Sequence, residues 1–313
     1  MLKRICSEKG LALIITLLVT AIIVAVITEI VHAVYVHTSF ATSYKDGQRA
    51  AMLAAGGIEL AASVINNIMK DKGYTMLKGK DTQQVIAADD SVLSLKVEDE
   101  QAKFCINSIV LPNGETNGEQ YTVFSRLLKS LELRDELADT LADWIDVNDE
   151  PRPMGGEAYD YYNRLSPAYA AKGGGLDTLE EILLVKGYTP QIYKRLMPFI
   201  TVYTDEPGNI IAASKININT APREIIMALS NEISEQMAQG LIDYRDKNPF
   251  NDTADIRKVP GFETIGFNLQ GKITVKSNIF RISARASIGD GSREVEAVVD
   301  IKNSNNILYW RER

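Results

Sequence analysis

From Leu11 to Ile27 the chain reads LALIITLLVTAIIVAVI without one charge, and apolar residues continue past Glu29 and His32 to Val36. At about 1.5 Å per residue, a helix over Leu11–Val36 covers a hydrocarbon core of about 30 Å. The run therefore predicts one helix embedded in membrane lipid, from which any folded part must hang. Ahead of it stands Met1–Gly10, MLKRICSEKG, with Lys3, Arg4 and Lys9, and no further base follows until Lys45. This asymmetry keeps the leader cytoplasmic and puts the rest outside, so a single-pass chain with its folded part outside is expected.

Three processing schemes compete. A signal peptide removed after its apolar region fits poorly, because the run exceeds the usual h-region of about 7–15 residues. A plain anchor keeps the whole segment. The third scheme cuts after Gly10 and retains the helix, which is the layout of a type IV pilin signal. Beyond the apolar run, Tyr44, Ala51, Ala55, Ile58, Ala62 and Ile65 follow a period near 3.6. One helix from about Leu11 to Met69 is expected, half in lipid and half on a folded domain, with a possible bend at Gly56-Gly57. Two separate helices are the alternative.

Ser91–Val97 and Lys103–Val110 are expected as a hairpin around Glu98-Asp99-Glu100. Near the C-terminus, Phe280–Ile288 and Arg293–Ile301 alternate apolar and polar residues about Gly289-Asp290-Gly291, a strong hairpin pattern. Between these strands the pattern is mostly helical, giving an α+β layout. Cys105 is expected as a small apolar residue in a strand core. The two cysteines, Cys6 and Cys105, exclude a disulfide framework or a cysteine-based zinc site, and the two histidines, His32 and His37, both belong to the N-terminal stretch.

Leu127–Ile145 carries one apolar helical face, with Leu137, Leu141 and Trp144, and runs into an acidic loop bent by Pro151, Pro153 and Gly155-Gly156. Over residues 131–164 ten acids face three bases. Such a cluster must be solvated or neutralised by a cation. Asp146, Asn148, Glu157 and Asp160 offer hard oxygens, which suit Ca²⁺ with its 6–8 oxygen ligands; an exposed acidic loop is the other reading.

Leu176–Val202 and Ile216–Phe262 look alike, each a short capped helix, a turn and a second helix, with Thr220 and Pro222 opening the latter unit. Both resemble helix-hairpin-helix modules. The Gly-rich turn of such modules is replaced by Leu229-Ser-Asn-Glu-Ile233, and residues 216–262 hold five Lys/Arg against seven Asp/Glu. A net charge of -7 for the whole chain points the same way: no nucleic acid is expected as a partner. A membrane-anchored DNA receptor and a tethered hydrolase using the acidic loop remain as alternatives.

Leu141-Ala-Asp-Trp-Ile-Asp146, the acidic loop with Glu157 and Tyr161-Tyr162, Leu176-Asp-Thr-Leu-Glu-Glu181 and Ile216-Asn-Ile-Asn-Thr-Ala-Pro222 resemble the type II secretion system protein K family, in its order and over nearly the whole chain. The resemblance implies a pilin-like domain, a long helix on an antiparallel sheet, with a large inserted helical domain. It implies a leader at 1–10, a membrane helix at 11–36, pilin-like helix and strands at 37–124, the insert at 125–262 and closing strands at 263–313. Prepilin peptidase would cut between Gly10 and Leu11. The chain would stand at the tip of a pseudopilus with minor pseudopilins I and J, other pseudopilins and the inner-membrane secretion platform as partners, and without an enzymatic role. Calcium in the insert is implied too, with Asp143, Asp146, Asn148, Glu157 and Asp160 as candidate ligands. Most pilins carry Glu at the fifth mature position, where this chain has Ile15. That carboxylate pairs with a neighbour's terminal ammonium among apolar helices, where an unpaired charge is costly. A subunit with nothing above it has no need of one, so Ile15 fits a cap; it fits an ordinary lipid-facing residue equally.

Overall fold

The computed structural model describes residues 5–70, 82–88, 90–147, 152, 158–204, 215–302 and 306–313. Helix α1, Ile5–Lys70, is continuous through Gly10, the apolar run and Gly56-Gly57. Its last third lies on a five-stranded sheet made of β1 (Thr82–Ala88), β2 (Ser91–Asp99), and, far along the chain, Ile279–Ile288, Gly291–Asp300 and Asn306–Glu312. Every neighbouring pair in this sheet is antiparallel. The hairpin expected near the C-terminus is present in register, with Ile282 opposite Ala297 and Ala284 opposite Val295.

One sheet face is apolar because its alternate residues are Leu93, Leu95, Ile282, Ala284, Val295 and Ala297. Against it α1 sets Ala50, Ala54, Ile58, Ala61, Ala62 and Ile65. The face is rotated from the expected one: Tyr44 is exposed, and Ala50 and Ala54 replace Ala51 and Ala55 at the contact. Gly57 serves close approach, since a Cβ there would come within 3.0–3.2 Å of the Leu93 and Leu95 side chains, whereas Gly56 faces open space.

The expected hairpin at Lys103–Val110 does not form. After β2 a 3-10 turn, Glu100–Ala102, diverts the chain, and β3, Phe104–Cys105, enters a different core. There follow α2 (Gly118–Ser130), α3 (Glu136–Ile145), α4 (Ala158–Asn163), α5 (Pro190–Leu196) and β4 (Ile200–Thr201). Then come β5 (Ile216–Asn217), α6 (Arg223–Ala228), α7 (Glu235–Lys247), α8 (Ile265–Leu269) and β6 (Ile273–Thr274). The sheet resumes with β7 (Ile279–Ile288), β8 (Gly291–Asp300) and β9 (Asn306–Glu312). The single helical face expected over Leu127–Ile145 is two helices. Glu132 takes φ 52°, and Leu133 N–H closes on the Leu128 carbonyl at 2.8 Å, a left-handed helix stop.

The insert's core extends from Phe104 to Val275, so the boundaries expected at 125 and 262 fall inside it. Residues 104–124 and 265–275 pack with the helices, because β3 and β6 pair with strands of the insert and not with the large sheet. Cys105 is buried in β3, as expected, and burial pushes its thiol up to about 11.

The insert is two copies of one unit. In each, a two-residue strand is followed by two helices, a 3-10 turn, a short helix and a parallel return strand, β3 with β4 and then β5 with β6, the first copy adding α4 after α3 and two further 3-10 turns. The 3-10 turns, Leu179–Leu184 and Thr253–Lys258, both open on capping boxes, Thr178 with Glu181 and Asp252 with Asp255. Both lead to a glycine at positive φ, Gly187 at 87° and Gly261 at 90°. Asn107 clamps the Leu176 backbone as Asn219 clamps that of Phe250. Leu141-Ala-Asp-Trp-Ile-Asp146 corresponds to Leu241-Ile-Asp-Tyr-Arg-Asp246, and both return strands read Ile-Thr-Val, at 200–202 and 273–275. The likeness legible in the sequence is thus part of a longer repeat with a different register.

Candidate functional site

Three places carry chemistry or assembly. The first is α1 itself. From Gly10 to Lys45 it is exposed except for half-buried Val36, and its most apolar 18-residue stretch has a mean hydropathy of 3.0 with none of it buried. Exposed backbone-saturated helix with apolar side chains is what a bilayer, or other such helices, can solvate. Ile15 is 52% exposed within this stretch. The Gly10–Leu11 bond lies in the helix.

The second is the end of α3. Asp139, Asp143 and Asp146 recur at helical spacing and all three are buried. Tyr121 on α2 donates to Asp139 at 2.5 Å, and burial together with that carboxylate pushes its hydroxyl up to about 12. Arg152 reaches Asp143 at 2.7 Å and also bonds Asp146, while its other nitrogens hold Thr116 Oγ1. Burial raises the Asp143 carboxyl, with Arg152 opposing it. Trp144 meets Tyr162 edge-on at 5.1 Å, and Tyr162 accepts the Lys186 N–H at 3.0 Å. Of the five candidate calcium ligands, Asp143 and Asp146 therefore converge on one positive charge. Asn148 and Glu157 lie outside the described residues; Asp160 belongs to α4, and its side chain lies outside them too. Among the described residues no group of three or more His, Cys, Asp or Glu side chains is gathered as a metal site.

The third place is a buried ionic joint between sheet and insert, which sequence reasoning missed. Asp99 ends β2 and accepts hydrogen bonds from Thr220 and Ser277 at 2.6 Å and Asn217 at 2.9 Å. Thr220, expected as a helix cap, is turned to this task, and Pro222 stands at the N-cap of α6. Burial raises the Asp99 carboxyl despite these donors. Glu100, 0% exposed, meets Arg281 of β7 at 2.7 Å, Lys103 at 3.0 Å and Thr201 of β4 at 2.5 Å. Burial would raise Glu100, but Lys103 and Arg281 outweigh it and hold it at about 2. Arg281 also bonds Glu296 and stands over the rings of Tyr203 in the insert and Tyr309 in β9. The adjacency of three acids at 98–100 was the only sequence hint; their partners lie up to about 180 residues away.

The hairpin turn of the second unit bears on nucleic-acid binding. A phosphate grip needs free backbone amides at the turn. The turn expected at Leu229–Ile233 does join α6 to α7, and the positive-φ glycine lies elsewhere, after the 3-10 turn, where the Gly261 N–H is already engaged by Glu263 at 2.9 Å.

Residues 102–205 and 216–276, together more than half of the chain, match the family described as Type II secretion system (T2SS), protein K. They correspond to the two copies in the insert. Type II secretion system protein K of Pseudomonas aeruginosa is 25% identical over 252 residues, covering 76% of this chain and 72% of that one. Its counterpart in Aeromonas hydrophila is 24% identical over 292 residues, 85% of this chain and 84% of that one. Among solved structures, a chain of the GspK-GspI-GspJ complex from the type 2 secretion system of enterotoxigenic Escherichia coli superposes with a TM-score of 0.70 at 17% identity, covering 87% of this chain and 99% of that one. That likeness carries the fold: a pilin-like α+β domain with a helical insert.

Proposed function

Since the chain belongs to the type II secretion system protein K family, we propose that it is the minor pseudopilin capping the tip of a secretion pseudopilus. Prepilin peptidase removes residues 1–10, and the mature chain begins at Leu11. Its helix stays in the inner membrane and its two-part domain stands in the periplasm. It assembles with minor pseudopilins I and J, the proteins named in the solved complex, and through them with other pseudopilins and the inner-membrane platform. Its work is mechanical, and no catalytic step is assigned to it.

The observation that carries this reading is the division of α1. Its apolar first half has no protein against it, while its last third is the core of the sheet domain. A helix built this way transmits the position of a membrane bundle to a folded head. Ile15 supports the terminal position, because the chain offers no carboxylate at the fifth mature residue for the ammonium of a subunit above. The test is co-purification in mild detergent of the full chain with pseudopilins I and J from cells expressing all three. A stoichiometric complex is expected; recovery of I and J without this chain refutes the reading.

Calcium belongs to the same proposal. Asp143 and Asp146 are buried carboxylates already drawn to one cation, which fits the donor chemistry of Ca²⁺. They would hold the ion together with oxygens from Asn148, Glu157 and Asp160, and the ion would neutralise the loop's charge in place of Arg152. Binding only to the folded loop would stabilise it by mass action.

A further inference from the structure

The sheet and the insert have separate apolar cores. One spans α1, β2, β7 and β8; the other runs through the insert from Phe104 to Val275, and among the described residues no side chain belongs to both. Buried Ile279 and Val298 belong to neither. The chain passes between the two bodies twice, from β2 to β3 and from β6 back to β7, and these crossings lie side by side. The Asn278 N–H donates to the Gln101 side chain at 2.5 Å, and the Ser277 hydroxyl donates to Asp99 at 2.6 Å. The ties from insert to sheet at this seam are polar: Thr201 donates to Glu100, Thr220 and Asn217 donate to Asp99, and Glu100 is held by Arg281 of β7. Farther out, the Tyr203 ring lies 6.3 Å from that of Tyr309 in β9, and Arg311 of β9 meets Glu180 at 3.3 Å with both side chains nearly half exposed. Beside them Leu308 of β9 lines a cleft of about 580 Å³, shared with Val110, Ile145 and Val202 of the first copy.

Shared apolar burial is what makes a body open as one unit. Hydrogen bonds that water can replace contribute less, and an exposed pair such as Arg311 with Glu180 contributes little. We infer that this seam is a conformational device: the insert parts from the sheet about the two crossings while both cores stay folded, and the Glu100–Arg281 pair is its latch. Opening returns two buried charges to water, and their hydration offsets part of the bond that is lost. The faces uncovered carry Thr201, Tyr203, Asn217 and Thr220 on the insert and Arg281 and Tyr309 on the sheet.

Hydrogen exchange of the full detergent-solubilised chain, read by mass spectrometry at urea concentrations below the unfolding transition, tests the inference. The Gln101, Lys103 and Asn278 amides are bonded within the crossings. Peptides carrying them should exchange at least tenfold faster than peptides of α2 and β8, and their rates should rise together with urea. Parting of two bodies exposes surface and gives that common slope, whereas fraying of a turn gives none. Exchange at the rate of the cores, or rates indifferent to urea, overturns the inference on the unaltered chain alone. Arg281→Met should speed the crossings at least a further tenfold and leave α2 and β8 unchanged; no acceleration overturns it. Spin labels at Met52→Cys and Gln239→Cys, exposed positions on the two bodies, report the parting directly in a Cys6→Ser background, where Cys105 is buried. The chain with Arg281 should give one distance and Arg281→Met a second, longer one. An unchanged single distance in Arg281→Met overturns the role of the latch.

Discussion

Replacing Glu100 by Gln tests the joint that fixes the insert on the pilin-like sheet. The substitution keeps the shape and removes one charge that is wholly buried and bonded to Arg281, Lys103 and Thr201. Arg281 would retain Glu296, but Lys103, on the rim of the same site, would lose its acid. Breaking a buried ion pair by removing one member costs about 3–5 kcal/mol. The titration gives a figure of the same size. Glu100 is held at about 2 against an ordinary 4.5, which corresponds to roughly 3 kcal/mol of stability at neutral pH. The sign follows from the depressed value: this stability is present above about pH 4.5 and is lost as pH falls toward about 2. Asp99 is shifted upward and acts in the opposite sense, but it is present in both proteins and cancels in their difference. Urea unfolding of the detergent-solubilised chain should therefore show Glu100→Gln about 3 kcal/mol less stable at pH 7, with the gap narrowing by about 2 kcal/mol at pH 3. A gap below about 0.5 kcal/mol at pH 7, or one that does not narrow on acidification, would refute the reasoning.

Asp146→Ala combined with Glu157→Ala should lower the thermal midpoint in calcium but not in chelator; equal shifts in both argue against an ion at the acidic loop. Gly57→Val should cost about 1–3 kcal/mol by forcing α1 off Leu93 and Leu95, while Gly56→Ala, facing open space, should gain up to about 1 kcal/mol from helix propensity. Similar effects from the two would contradict the packing described for α1. Ile15→Glu should leave the thermal midpoint of the detergent-solubilised head domain unchanged and let a further pilin-like subunit crosslink above this one in cells. Absence of that crosslink would remove the capping role proposed for Ile15.

What the sequence disclosed depended on how local the cause was. The long apolar helix is legible because seventeen residues from Leu11 to Ile27 carry no charge, and the hairpin of β7 and β8 because strict alternation brackets a Gly-Asp-Gly turn. The break between α2 and α3 is not legible. Leu131 and Leu133 continue the apolar pattern, and the interruption comes from a non-glycine residue, Glu132, held at positive φ by the closing hydrogen bonds. Strands β1 and β9 are edge strands with little buried on them, so they lack the alternation that marks β7 and β8. Lys103–Val110 has the composition of a strand, yet its second half, from Ile106, turns into a 3-10 segment, and its apolar residues lie in the insert's core. At the acidic loop the residues alone singled out Asp146 and the family resemblance added Asp143, both as calcium candidates, while their shared contact with Arg152 required the fold. The joint at Asp99 and Glu100 was invisible for the same reason, its partners being brought together only when β7 returns to β2.

The claim on which the rest depends is that a cytoplasmic cut frees the amino end of α1 and the helix stays. Mass spectrometry of the N-terminal peptide from protein recovered from secreting cells tests this most directly. The expected peptide begins at Leu11; one that begins at Met1, or beyond the apolar run, would contradict the account.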